Sequence, residues 1–251
     1  MGSRSQSRVL VVGVGGIGSP LALILARAGV GTLGLVDDDV VERTNLHRQV
    51  LFRDSDVGRD KLDAAAEGLA RLAPGHGARV VLHRTRFLPE NAVALARDYD
   101  VVVEGADNFP TKFLAADAAC ALERPIVHAA AVRTVGTVLA VGPRGAPCYR
   151  CLFEDVPFGD DAPNCADAGV LGPLLGLVAA FQADLALSIL DGGSRHGELV
   201  RIDVGDLTPR VRRRTIASRP SCTLCGADAP RPTVLDRDRY APVLGSACAA
   251  S

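Results

Sequence analysis

Six residues near the start of the chain, Gly13-Val14-Gly15-Gly16-Ile17-Gly18, have the spacing of a phosphate-binding turn. Glycines let the backbone approach a phosphate closely, and a helix that begins there supplies N–H donors and the positive end of its dipole. The same spacing occurs in NAD dehydrogenases, methyltransferases and ATP-using proteins, and in tight turns that bind nothing. It predicts a nucleotide site with Gly13, Gly15, Gly16 and Gly18 in its loop, and Asp37 is placed to bind ribose hydroxyls.

Charged residues after this loop bear on which nucleotide binds. A dinucleotide needs no further cations, whereas the β and γ groups of a triphosphate extend beyond the loop. The charge of these phosphates could be neutralised by the planar guanidinium of Arg48 and the ammonium of Lys61. Asn45 could donate to phosphate oxygens. Asp107 follows a strand and could hold Mg²⁺. Singly, these residues could be surface charges or, for Asp107, a helix N-cap; as a set they favour ATP over NAD.

Four of the seven cysteines form two C-x-x-C pairs, Cys148 with Cys151 and Cys222 with Cys225. The 70 residues between the pairs far exceed the roughly 15–20 of an autonomous zinc ribbon, so the fold must bring the pairs together. Four thiolates make a closed, structural zinc site. The alternative is four buried free thiols. Cys120 is predicted to lie in a helix core.

These residues need elements that position them, and the first half of the chain alternates strand and helix. That order predicts an α/β, Rossmann-like sheet, parallel in the first half, with antiparallel strands added in the second half and helices on both faces. We predict strands over residues 8–12, 32–36, 79–84, 100–103, from 125, 136–141 and 199–204, and helices over 19–28, 60–72, 89–97, 111–122 and 173–190.

The end of the chain has a different composition. Residues 208–216 alternate roughly between polar and apolar side chains, and four of them are arginines: Arg210, Arg212, Arg213 and Arg214. They are interpreted as an exposed edge strand or, alternatively, as a partner-binding patch. We expect a short N-terminal segment over 1–7, one nucleotide-binding domain with the four-cysteine site over 8–226, and a flexible tail over 227–251.

Bulk composition excludes several classes of function. The 28 basic and 29 acidic residues nearly cancel and give no argument for binding nucleic acid or an anionic membrane. The longest uncharged apolar stretch, 168–182, is shorter than the roughly 18 residues of a membrane helix and predicts a buried helix. No secretory signal opens the chain, so paired cysteines favour metal binding in a reducing cytoplasm.

Taken together, these motifs resemble the ThiF/MoeB/HesA family, bacterial relatives of the ubiquitin-activating enzymes. The resemblance runs from about Ser7 to Gly226. It is carried by the glycine loop, the D-x-D-x5-N-L-x-R-Q segment from Asp37 to Gln49, the G-x-x-K that ends at Lys61 and the D-N at Asp107. It continues through 128–133, 147–151, 165–170 and 222–226.

The resemblance implies an ATP-dependent adenylyltransferase. Its members activate the C-terminal carboxylate of a ubiquitin-like sulfur carrier of the ThiS or MoaD type, which ends in Gly-Gly, as an acyl-adenylate and release pyrophosphate. A homodimer is implied as well. Carried over, Asp37 binds ribose, Asn45, Arg48 and Lys61 bind phosphates, and Asp107 binds Mg²⁺. Asp39 and Gln49 join the nucleotide-binding residues, and the catalytic set is Arg48, Lys61 and Asp107.

Some features leave alternatives open. Cys165 matches a position that is proposed to form a sulfur link in thiamine-type members and is dispensable in molybdopterin-type members. In the family, an arginine near the start of the chain reaches the ATP bound to the partner subunit. Arg4 is the sole basic residue before Arg8, and we do not assign that role to it. The chain could instead adenylate a peptide or a small carboxylic acid, or serve as a non-catalytic scaffold for a ubiquitin-like partner. The retained Arg48, Lys61 and Asp107 argue against the scaffold.

Overall fold

A computed structural model describes residues 4–75, 77–153, 169–206, 208–229 and 240. Its centre is an eight-stranded sheet in the order β3-β2-β1-β4-β5-β6-β7-β8. The first five strands are parallel, and β6, β7 and β8 add antiparallel to one edge. The predicted change from parallel to antiparallel strands is confirmed. The strands are β1 Arg8–Val12, β2 Thr32–Asp37, β3 Arg79–Arg84, β4 Val101–Glu104, β5 Ile126–Val132, β6 Val135–Val141, β7 Glu198–Asp203 and β8 Arg210–Thr215.

Helices cover both faces of the sheet, as predicted. One face packs against the first, second and last described helices, and the other packs against the remaining three. Strand β1 serves both layers, because Val9 and Val11 face the first and Leu10 and Val12 face the second. The helices are α1 Gly18–Arg27, α2 Lys61–Leu72, α3 Ala92–Ala96, α4 Phe109–Ala121, α5 Tyr149–Leu152 and α6 Gly172–Leu190.

Two helix starts differ from the prediction by more than one residue. Helix α3 begins at Ala92, so Pro89 precedes it and does not form its first turn. Helix α4 begins at Phe109, and its N-cap is Asn108, whose side chain accepts from the backbone N–H of Thr111 at 2.9 Å. The capping alternative for Asp107 is therefore wrong, which leaves its carboxylate available for another role.

Helix α6 is long and apolar enough to cross a membrane by length and composition. In this fold it packs against α1 and against β4, β5 and β6. Its Gln182 is buried and donates from Nε2 to the carbonyls of Glu104 at 2.9 Å and Val127 at 2.8 Å. These contacts are those of a core helix, as the buried-helix prediction states.

Candidate functional site

The glycine loop connects β1 to α1 at the carboxyl edge of the parallel strands. Gly13 has a φ of 83°, which an L side chain rarely adopts, and a methyl group on Gly18 would lie 1.9 Å from the carbonyl oxygen of Gly13. Both glycines are therefore required by the turn. The backbone N–H groups of Gly15 and Gly16 have no hydrogen-bond partner in the described part of the chain. They are free to donate to an anion.

The segment that follows β2 returns to this loop. A methyl group on Gly16 would lie 3.6 Å from Cδ of Arg48, and one on Gly15 would lie 3.8 Å from Nε2 of Gln49. Gln49 is buried, and its Oε1 has no partner among the described residues. The structure thus brings together the loop and two polar residues that lie more than thirty positions away in the sequence.

Arg48 contributes an uncompensated positive charge to this edge. Its guanidinium donates to the Thr44 carbonyl at 3.3 Å and to Oδ1 of Asn45, and the described residues give it no ion pair. Asn45 in turn donates from Nδ2 to Glu42 at 3.0 Å. Asn45 ends the short 3₁₀ helix Arg43–Asn45, and Arg48 lies in the turn that follows it beside the loop, so these two predicted phosphate ligands can reach the same anion.

Lys61 occupies a different electrostatic setting. Its ammonium is buried and lies 3.4 Å from Asp37 Oδ1 and 2.8 Å from Asp39 Oδ2. Burial opposes the charge, but the two carboxylates outweigh it and raise the pKa of Lys61 above its usual 10.5. Asp37 also accepts from the backbone N–H of Val14 at 2.7 Å. Asp37 therefore ties the loop to Lys61, and two carboxylates already share the lysine charge.

Asp107 lies at the end of β4, next to the loop. A methyl group on Gly13 would lie 3.8 Å from the backbone nitrogen of Ala106, one residue before Asp107. The carboxylate is exposed, forms no ion pair in the described part of the chain and makes one long contact, 3.5 Å, with the Asn108 amide. An exposed oxygen donor without a cation suits a hard divalent ion.

A cavity of about 100 Å³ opens beside Asp107. Its wall is mostly apolar and includes the rings of Phe109, Tyr149 and Phe153. His128 and Lys112 supply its polar part. The cavity extends over the strands β6 and β7 through Thr137, Leu139 and Leu199.

Sequence reasoning missed a buried polar cluster beneath this cavity. Glu104, fully buried at the end of β4, accepts from Lys112 Nζ at 3.0 Å, approaches His128 Nδ1 at 3.1 Å and accepts from the backbone N–H of Ala106. Lys112 also donates to the Ala129 carbonyl at 2.6 Å. The cluster fixes the turn that presents Asp107 and joins it to α4 and β5. An acidic residue closing an otherwise apolar strand was the available signal.

The protonation of this cluster predicts a pH dependence of stability. Burial lowers the pKa of His128 below its usual 6.5, and its Nε2 has no partner among the described residues. The folded chain therefore holds this imidazole neutral at a pH where the unfolded chain protonates it, and stability is lost as the pH falls below 6.5. Burial opposes the charge of Glu104, but Lys112 and His128 together outweigh it and keep the pKa of Glu104 below 4.5, so its contribution is lost only at lower pH.

We expect His128→Gln to reduce the slope of unfolding free energy against pH just below 6.5, by up to about 1.4 kcal/mol per pH unit. Urea titrations at several pH values measure this slope. His47→Gln, at an exposed position, is the control and should keep the slope of the unmodified chain. Equal slopes in all three proteins would show that His128 does not titrate differently on unfolding.

The four paired cysteines meet around the short helix α5. Their sulfurs lie within 4.8 Å of one another, with 3.4 Å between Cys148 and Cys222 and 3.4 Å between Cys151 and Cys225. These distances exceed a disulfide bond and approach the roughly 3.8 Å between sulfurs of a tetrahedral site with 2.3 Å zinc–sulfur bonds. The predicted convergence of the two pairs is confirmed.

The thiols of this cluster differ in their ease of ionisation. Burial opposes ionisation of Cys222, but the backbone N–H groups of Cys225 and Leu224 and the neighbouring thiols together outweigh it, and the pKa of Cys222 falls to about 7. Burial raises the pKa of Cys225 to about 12 and also raises that of Cys148. Four thiolates together therefore need a cation among them, which suits a metal of zinc type.

Arg150, between the first two cysteines, ties this cluster to α4. It is fully buried and donates to Asp117 from Nε at 3.0 Å and from Nη2 at 2.8 Å. Tyr240 donates its hydroxyl to the same carboxylate, and the guanidinium lies 4.8 Å from the centre of the Phe113 ring. The cysteine cluster thus braces the helix whose first residues follow Asp107.

Other predicted positions are placed as follows. Arg4 pairs with Asp191 of its own chain, Nε to Oδ1 at 2.8 Å, and Cys120 is buried in α4 as expected. Cys165 and most of the segment 227–251 lie outside the described residues. The division into 1–7, 8–226 and 227–251 stays a prediction.

Comparison with known proteins identifies relatives over most of the chain. A sequence model described as the ThiF family matches residues 3–224. The chain is 39% identical over 240 residues to the adenylyltransferase and sulfurtransferase uba4 of Emericella nidulans, which covers 89% of this chain and 49% of that protein. It is 40% identical over 228 residues to the adenylyltransferase and sulfurtransferase MOCS3-2 of Zea mays, covering 90% and 46%. The chain spans about half the length of these relatives.

Solved structures share the fold. The crystal structure of E. coli MccB superposes with a TM-score of 0.76 at 21% identity, covering 90% of this chain and 67% of that one. The crystal structure of PaaA gives a TM-score of 0.69 at 26% identity, covering 86% and 65%. The MccB match shows a shared fold.

Proposed function

This chain belongs to the ThiF family, and we propose that it is an ATP-dependent adenylyltransferase that activates the C-terminal carboxylate of a ubiquitin-like sulfur carrier. The observation that carries the proposal is the gathering at one edge of the sheet of the glycine loop, Arg48 and the Asp107 carboxylate, neither of which forms an ion pair among the described residues. Relatives that are named adenylyltransferases support the same activity.

The reaction needs charge neutralisation more than acid–base chemistry. A carboxylate oxygen attacks the α-phosphorus of ATP, a new P–O bond forms, the bond to the β-phosphate bridge breaks, and pyrophosphate leaves with the electron pair. The nucleophile is already ionised at pH 7, so no general base is required. Two anions must meet, and the loop N–H groups together with Arg48 stabilise the charge that builds up in the transition state.

Asp107 is the residue that would hold Mg²⁺. The carboxylate is the ligand type that Mg²⁺ prefers, and no cation of the described chain competes for it. When bound, the ion supplies positive charge to the phosphates. Lys61 is proposed as a phosphate ligand together with Asn45 and Gln49, Asp37 as a ribose ligand, and Asp39 as the carboxylate that positions the Lys61 ammonium.

The carrier is proposed to end in Gly-Gly. The cavity beside Asp107 is small and lined by aromatic and aliphatic side chains, so it favours a thin extended segment without side chains. Activation there would place the terminal carboxylate beside the phosphates. Sulfur donation by this chain is not part of the proposal.

ATP–pyrophosphate exchange tests the function. The chain is incubated with ATP, Mg²⁺ and labelled pyrophosphate, and with each member of a panel of ThiS- and MoaD-type carriers. We expect exchange with at least one carrier, and none when its last glycine is removed. Protein that binds ATP but exchanges with no carrier would refute the proposal.

A second candidate is adenylation of a peptide or of a small carboxylic acid. The likeness to MccB favours it, because solved structures pair that protein with ATP and with MccA. Exchange driven by short peptides or by free acids, in the absence of any carrier, separates this candidate from the first. A scaffold without catalysis would bind a carrier and show no exchange at all.

We further propose that the four cysteines hold one structural zinc ion. Elemental analysis of the purified chain should find about one zinc per chain, and Cys222→Ser/Cys225→Ser should remove it and destabilise the fold, since structural zinc contributes directly to folding. Cys120→Ser, outside the cluster, should keep the metal. A chain without stoichiometric metal would contradict the assignment.

Two wider aspects are proposed together with this function. Leu171 and Leu177 at and near the start of α6 are large, apolar and exposed, which supports a homodimer that covers them. Light scattering gives its mass. A reducing cytoplasm is the proposed setting, because the clustered thiols are suited to a metal and not to disulfides.

A further inference from the structure

Strand β8 carries arginine charge that the site above does not use. It forms the edge of the sheet, and all six of its residues are exposed. Arg210 pairs with Asp206 at 2.6 Å, and Arg213 pairs with Glu198 on the face that also bears α6. Arg212 and Arg214 project from the opposite face and have no ion-pair partner in the described part of the chain.

The register places like charges directly across two strands. Arg212 of β8 lies opposite Arg201 of β7, whose side chain is 52% exposed and lies 3.4 Å from the Asp203 carboxylate. Like charges directly opposite each other destabilise an antiparallel pair. Protection of a sheet edge needs a charge on the edge strand, but it does not need a second arginine opposite on the inner strand. Asp203 offsets part of the Arg201 charge, but Arg212 has no ion-pair partner in the described part of the chain, so a repulsion remains that does not serve the edge.

The arginines continue the wall of the cavity beside Asp107. One row across the strands reads Leu139, Leu199 and Arg214, and the next reads Thr137, Arg201 and Arg212. Leu139 and Leu199 of the first row, and Thr137 of the second row, line that cavity. An apolar trough that leads to the reaction edge thus ends in a basic stripe on one continuous face.

We propose that Arg201, Arg212 and Arg214 form a docking stripe for an acidic surface on the carrier protein, while the carrier's end enters the adjoining cavity. The inference rests on the proposed function, and the occupant follows from charge complementarity. An acidic partner relieves the Arg201–Arg212 repulsion on binding, so the free protein retains a destabilising pair that the complex neutralises. A polyanionic nucleic acid is the competing occupant, and the test includes it.

The test is Arg212→Glu/Arg214→Glu, measured by the dissociation constant for labelled carriers of the ThiS and MoaD type. At about 50 mM salt we expect binding to weaken by about 10- to 100-fold, and the salt dependence of the remaining affinity to flatten. Arg79→Glu, an exposed arginine on the opposite edge strand β3, is the matched control and should bind as the unmodified chain does. The KM for ATP should be unchanged in both variants.

Stability gives a second readout with the opposite sign. Arg212→Glu alone places a carboxylate opposite Arg201 and should raise the unfolding midpoint, so weaker binding cannot be attributed to misfolding. A dissociation constant within twofold of the control would overturn the docking stripe and leave exchange, and hence the proposed function, intact. Binding of a single-stranded RNA probe more tightly than any carrier, or binding of no carrier, would also overturn it. Exchange activity separately decides whether the proposed function fails.

Discussion

Replacing Arg48 with alanine should slow ATP–pyrophosphate exchange by about 100- to 1,000-fold, with a smaller change in the KM for ATP. Arg48 lies beside Gly16, and its charge is balanced by no carboxylate of the described chain. Lys61, by contrast, already shares its charge with Asp37 and Asp39. Of the two cations, Arg48 therefore has more positive charge to offer the phosphates as negative charge develops.

Arg43→Ala is the matched control for this experiment. Arg43 lies in the same 3₁₀ turn as Asn45, but its guanidinium is exposed and paired with Asp54. An exposed pair of this kind contributes little to stability, so this variant should fold and exchange normally. Arg48→Lys should exchange faster than Arg48→Ala, because lysine restores the positive charge but not the planar guanidinium with its paired N–H donors. Loss of exchange in Arg43→Ala to the same extent would indicate that the turn, not the Arg48 charge, matters.

The local elements of this site could be predicted from the sequence because their signals are local. Glycine spacing after an apolar run defined the loop, and β1 and β3 begin and end where the hydrophobic pattern placed them. The paired cysteines predicted a cluster because C-x-x-C fixes two ligands at once. What remained open was which side chains each residue would meet.

Buried polar partners could not be predicted, because they join residues that no periodicity relates. Glu104, Lys112 and His128 meet only once α4 crosses back over β4 and β5. Arg150 lies inside a predicted metal motif, where its pairing with Asp117 has no sequence signature. The same limit applies to Lys61: its spacing indicated a phosphate ligand, but its two carboxylate partners become evident only when β2 and α2 are packed.

The arginines of β8 show how register decides between two interpretations of one run. In the sequence they form a single basic cluster, which favours an edge strand and leaves a partner-binding patch as the alternative. The sheet splits the cluster, since Arg213 packs over the Phe181 ring on one face while Arg212 and Arg214 lie on the other. Only Arg212 and Arg214, which form no ion pair in the described part of the chain, remain available to bind a partner.

Asp107→Ala should reduce exchange by at least about 100-fold at fixed Mg²⁺, because the phosphates lose the carboxylate that would hold their cation. Raising the Mg²⁺ concentration should restore part of the rate, which distinguishes a metal ligand from a residue that only supports the fold. Asp107→Asn keeps the shape and loses the charge, so it should resemble the alanine variant.

Asn108→Ala separates the structural role of this turn from the metal role. It removes the N-cap of α4, which costs about 1 kcal/mol of stability, but it leaves the Asp107 carboxylate in place. We therefore expect a lower unfolding midpoint with an unchanged Mg²⁺ dependence, the reverse of the Asp107 variants. If Asp107→Ala instead exchanged at the normal rate at every Mg²⁺ concentration, the ion would have to be held by the phosphates alone, and the edge of the sheet would contribute Arg48 and the loop but no metal ligand.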